Sequence, residues 1–177
     1  QVFISMVTNG SVVLTSRQKN ILSKFKNLNF SISIDGTGPV FEYLRYPLKW
    51  SRVESNILKL QQQLSPNVKC KINHILTSLN LYYYDEFVSW FDATLKADEY
   101  NRGWMFTATP AVGLFSPQSV SHQLRKKVLE KYNNEAPDRA IEYISASSQE
   151  IRKNLYKLDQ RRKLDWKSVF PEIADAL

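Results

Sequence analysis

Apolar and polar positions alternate along several short stretches of the chain, and between these the apolar residues recur at helical spacing. Phe30, Ile32 and Ile34 are apolar and interleave with Ser31, Ser33 and Asp35 until Gly36 and Gly38 break the run, which predicts a strand ending in a polar loop. Val2 to Thr8 has the same design and ends in Asn9-Gly10. Two strands with Asn/Asp-Gly ends can form a hairpin. Here Ser16 to Asn27 lies between them and reads as a helical run capped by Ser16, with Ile21, Leu22 and Phe25 on one face. The pattern therefore predicts parallel neighbouring strands joined by a right-handed crossover, with ligands collecting beyond their carboxyl ends.

The alternation continues downstream. Trp50, Val53, Ile57, Leu60 and Leu64 predict an amphipathic helix from Leu48 to Leu64, stopped by Ser65-Pro66. Val68, Cys70 and Ile72 share one face of a strand running to Leu76. Asp85 to Leu95 reads as a helix with acids in its first turn, and Gly103 to Pro110 as the last strand. Beyond Gly113 only helical patterns remain: one opened by Ser116-Pro117, then Arg139 to Ala146 and Glu150 to Leu164. The expected fold class is α/β, a partial (β/α) barrel of about four parallel strands over residues 1–115, followed by helices over 116–177.

Composition narrows the function classes. The net charge of +7 invites a nucleic-acid partner. Residues 51–100, however, carry five Lys/Arg against six acids, and the densest basic stretch, 149–167, reads as a solvated helix face. No nucleic-acid motif accompanies the charge. No run reaches the roughly 20 apolar residues of a membrane span. The chain opens on strand residues without a secretory signal pattern, and Cys70 has no second cysteine to pair with, so a reducing cytoplasm is the expected location.

Candidate chemistry lies mostly at the strand ends. His74, at the end of its strand, reads as a hydrogen-bonded structural residue. Tyr82-Tyr83-Tyr84 reads as packing at a helix entry, and a lone Gly36-Thr37-Gly38 is weak evidence for phosphate binding. The spacing shows no zinc site and no Ser-His-Asp order.

Thr8-Asn9-Gly10, Ser31-Ile32-Ser33-Ile34-Asp35-Gly36 and Tyr43-Leu44-Arg45-Tyr46-Pro47, in that order, resemble the middle of a radical S-adenosylmethionine (radical SAM) enzyme of the twitch type. Leu158 to Arg162, Trp166 and Phe170-Pro171-Glu172 resemble the same family's C-terminal tail. The resemblance implies that the chain begins at the third barrel strand. It also implies that Asn9, Ser33, Asp35 and Asn73 line the side where S-adenosylmethionine lies, with Thr107 and Thr109 facing substrate. Hydroxyl, amide and carboxylate groups suit ribose hydroxyls and an ammonium, although Ser33 and Asp35 can equally cap backbone groups at the strand end. The family's 4Fe-4S cluster needs the three thiolates of a CxxxCxxC loop. This chain contains only Cys70, so it is expected to bind no cluster and to be inactive by itself. It is expected to be the later part of a longer radical SAM protein, with a cluster-free barrel remnant serving as a binding or scaffold module as the alternative. If Val2 to Thr8 is a bare edge strand, self-association through it is expected.

Overall fold

The computed structural model describes residues 3–64, 68–96, 104–132 and 148–177. The chain is α/β: a four-stranded, all-parallel sheet of β1 (Ile4–Thr8), β2 (Leu28–Ser33), β3 (Val68–Leu76) and β4 (Met105–Pro110), ordered β1-β2-β3-β4. Between the strands lie α1 (Ser16–Leu22), α2 (Gly38–Leu44), α3 (Trp50–Gln63) and α4 (Tyr84–Phe91), the last continuing as a π-helical turn over Asp92–Lys96. A 3-10 turn, Pro117–Ser119, precedes α5 (His122–Lys131), and α6 (Ser148–Arg162) and α7 (Trp166–Val169) complete the C-terminal helices. The expected strands are all present, and the helix expected at Glu150 to Leu164 is α6, Ser148–Arg162; α7 is additional to the expected helices. The helical run expected at Arg139 to Ala146 lies outside the described residues.

Several local details differ from the sequence expectation. Thr15, one residue before Ser16, caps α1: its hydroxyl accepts from Gln18 N at 3.3 Å while Gln18 Oε1 accepts from Thr15 N at 2.8 Å. The stretch around Pro39 is a helix instead of a loop, because proline is tolerated in a first helical turn whose N–H groups have no internal partner. Ser121 caps α5, so Ser116-Pro117 opens only the preceding 3-10 turn. Helix α3 takes its cap from a distance, Glu42 Oε1 accepting from Trp50 N at 3.1 Å.

The chain forms two compact units, Gln1–His74 with Phe87–Ala108, and Ile75–Glu86 with Thr109–Leu177. The first has its core between the sheet and helices α3 and α4: Leu28, Phe30, Ile32, Val53, Ile57, Leu60, Ile72 and Phe87 are all buried. Phe87, Phe91 and Phe106 form an aromatic cluster with centroids 4.8–6.4 Å apart. In the second, Leu124, Val128, Ile151, Leu155, Phe170, Ile173 and Leu177 are buried. Lys127 Nζ donates to Glu172 O at 2.7 Å, Arg152 Nη2 to Asp175 O at 3.0 Å, and Ser121 Oγ to Ala176 O, which fastens the C-terminal tail to α5 and α6. Tyr83 Oη donates to Glu172 at 2.5 Å; burial, ahead of the neighbouring carboxylate, pushes the phenol's pKa upward.

Candidate functional site

Successive strand residues face opposite sides of a sheet, so burial divides the sheet into two faces. Leu28, Phe30 and Ile32 on β2 and Val68, Cys70, Ile72 and His74 on β3 are buried. This is the helix-covered face: the His74 ring stacks on Phe87 of α4 at 4.2 Å, and a Cβ added at Gly10 would meet both Ile32 and Val53 of α3. On β2 and β3 the opposite face is polar. The parallel register sets Ser5, Asn29 and Lys69 in one row, Val7, Ser31 and Lys71 in the next, and Ser33 beside Asn73 at the carboxyl end. On that face Ser5, Asn29 and Lys69 are exposed, and Ser33, Lys71 and Asn73 are half-buried. Because Phe106 packs on Phe87 and Phe91, its neighbours Met105 and Thr107 stand on the open side and are exposed.

Of the residues that the resemblance singles out, the structure brings Ser33 and Asn73 side by side, tied by Ile34 N donating to Asn73 O at 3.0 Å. Asn9 lies one residue past the last β1–β2 pair, Thr8 with Ile32, and is exposed. Its Oδ1 accepts from Ser11 N at 3.1 Å, so the side chain shapes its own turn. Asp35 is buried, and its Oδ2 lies 2.5 Å from Arg45 Nε, an ion-pair distance without the alignment of a hydrogen bond from that nitrogen. Arg45 lies ten positions along the chain, at the C-terminal cap of α2, and the turn through that helix returns it to the strand end. Thr107 is placed on the open side of the sheet, and Thr109 lies in the second unit.

Electrostatics separate His74 from this face. Burial, the dominant cause, lowers its pKa from 6.5 to about 4, against smaller upward contributions from Asp35 and a backbone hydrogen bond at Ile34; Arg45 lowers it further. A neutral imidazole stacked on Phe87 is a core residue, as its place in the sequence suggested. The residues that sequence reading missed are Lys69 and Lys71. Their signal was the same alternation that marked Cys70 and Ile72 as core, since it puts both lysines on the other face.

Metal-ligating chemistry does not fit the described residues. Cys70 is buried on the covered face with Sγ 3.9 Å from Val68 O, and among the described residues no group of three or more His, Cys, Asp or Glu could hold a metal ion. A 4Fe-4S cluster takes three thiolates, and Cys70 is the one cysteine of the sequence. Nucleoside hydroxyls do suit the Ser33 hydroxyl and the Asn73 amide, which both donate and accept. A cavity of about 300 Å³ lined by Lys19, Asn20, Gln63 and Val68 lies at the amino end of β3, away from this pair. Among the described residues no helix is long and apolar enough to cross a membrane.

Compared with models of protein families, with curated proteins and with solved structures, the chain has no match in any of the three.

Proposed function

We propose that this chain is the later part of a radical SAM-type partial barrel, and that the carboxyl end of its open sheet face holds the nucleoside of S-adenosylmethionine. The reading rests on the ordered motifs at 8–10, 31–36 and 43–47. The observation that carries it is the β2–β3 register, which puts Ser33 next to Asn73 at the ends of adjacent parallel strands, where α/β sheets bind ligands. In the parent protein the bound cofactor supplies the radical. Here Ser33 and Asn73 hold and orient ribose hydroxyls, while Arg45 fixes the Asp35 carboxylate beside them. A single buried thiol suits a reducing cytoplasm.

Two hydrogen bonds of about 0.5–1.5 kcal/mol each give at most about 3 kcal/mol, short of the roughly 4 kcal/mol of a millimolar complex. The isolated chain is thus expected to bind S-adenosylmethionine more weakly than about 1 mM. Titrating the labelled protein to about 10 mM ligand should shift the amides of 33–35 and 72–74, and Asn73→Ala should remove those shifts. No shift there, or tight binding that survives Asn73→Ala, overturns the proposal. The coding sequence preceding Gln1 gives an independent check, since the proposal requires a CxxxCxxC motif in it.

A further inference from the structure

Among the described residues the two lysines of β3 stand on the open face without a counter-charge. Every acid of the first unit's described residues that could supply one is engaged elsewhere. Asp35 is paired with Arg45, Glu42 with Lys49 at 2.6 Å and with the start of α3, and Glu54 accepts from Trp90 Nε1 at 2.8 Å. Asp92, on the π-helical turn after α4, has an interaction of its own that involves neither lysine. Among the described residues neither Lys69 nor Lys71 has an ion-pair partner. Lys71 is also half-buried, in a row with the buried hydroxyl-bearing Ser31 and with Val7. An ammonium drawn partly out of water over a sheet is stabilised by an anion brought to it.

We infer that the ligand of this face carries a carboxylate or phosphate group bound by Lys71, with the exposed Lys69 one step toward the amino end of β3 for a second anionic group. Residues two apart on a strand are separated by about 7 Å, so the anion sits about that far from the Ser33–Asn73 pair. It therefore belongs to the end of a ligand, or to a second ligand, distinct from the group at the strand ends. Exposed Val7, in the same row on β1, and Phe3, just before β1, at 66% and 73% accessibility, offer apolar contact to the ligand's body. The ligand class is an amphipathic acid. That this acid is the substrate rests on the barrel reading above; the anion site itself does not.

Amide-resolved titration with sodium pyrophosphate and, separately, with succinate tests the inference. At least one should give saturable shifts at 31 and 71 that weaken as salt is raised. Lys71→Gln should lower the affinity at least tenfold, Lys71→Arg should restore most of it, and Lys59→Gln on the exposed side of α3 should leave it unchanged. A response to pyrophosphate alone identifies a phosphate site, and one to succinate a carboxylate site. No saturable response, or a response equal in Lys71→Gln, overturns the inference. Recording S-adenosylmethionine shifts at 33 and 73 on the same samples keeps the two readings apart, because loss of those alone counts only against the nucleoside assignment.

Discussion

His74 and Lys71 are three residues apart on β3, and the alternation of the strand gives them opposite surroundings. His74 is buried neutral, with its pKa lowered to about 4. Because its folded-state pKa lies below that of the unfolded chain, the proton binds the unfolded state better. The stability this group contributes is present above pH 6.5 and is lost as pH falls from 6.5 through 4, amounting to roughly 3 kcal/mol. Urea unfolding at pH 7.5 and pH 4.5 should show this loss in the wild type and a smaller one in His74→Phe; equal losses would place the acid sensitivity elsewhere. The Asp35–Arg45 pair bears on the same imidazole with opposite signs. Arg45→Gln should therefore raise the His74 pKa and Asp35→Asn should lower it, as read from the imidazole Cε1–H resonance.

Among the elements, the β1–α1 connection is held most tightly at Gly10. Its φ of +72° suits glycine, and an added Cβ would come within 2.9 Å of Val53 Cγ1 and 3.2 Å of Ile32 Cγ2. Asn56 Nδ2 also donates to Gly10 O at 2.9 Å, locking the loop onto α3. Gly10→Ala should cost about 1–3 kcal/mol in denaturant unfolding, with part of the loss relieved when Val53→Ala is added; strictly additive effects would contradict the packing origin. The strands were legible in the sequence because each carries its period-two pattern locally, as Val68 to Ile72 does. Helix α2 was not, since Gly36-Thr37-Gly38-Pro39 has the composition of a turn and only the backbone after it reveals a helical start. The site was half legible. Ser33 and Asn73 are singled out only by the family resemblance, their adjacency depends on register, and the engagement of Asp35 depends on Arg45 returning from another element.

At the scale of the whole molecule, β1 is the first strand in the sheet order and pairs with β2 alone among the described strands. Ile4 to Thr8 contains no charge and no proline, the devices that usually blunt a sheet edge. Antiparallel pairing with a second copy about Ser5 would set Phe3 opposite Val7 on both sides of the two-fold axis. The purified chain is therefore expected to dimerise in light scattering and to become monomeric on Ser5→Pro; a monomeric wild type, or a dimer indifferent to proline, would exclude edge pairing. The division of the sheet into a helix-covered and an open face reaches beyond binding. Ser5, Asn29, Lys69 and Thr107 support no core packing, whereas Leu28, Phe30, Val68 and Ile72 cannot change without opening a void. In a saturating mutational scan selected for folding alone, tolerance should rise and fall with every second residue along β3. Substitutions can thus accumulate on one side of each strand without jeopardising the scaffold, which lets this sheet acquire a new ligand specificity while its architecture stays fixed.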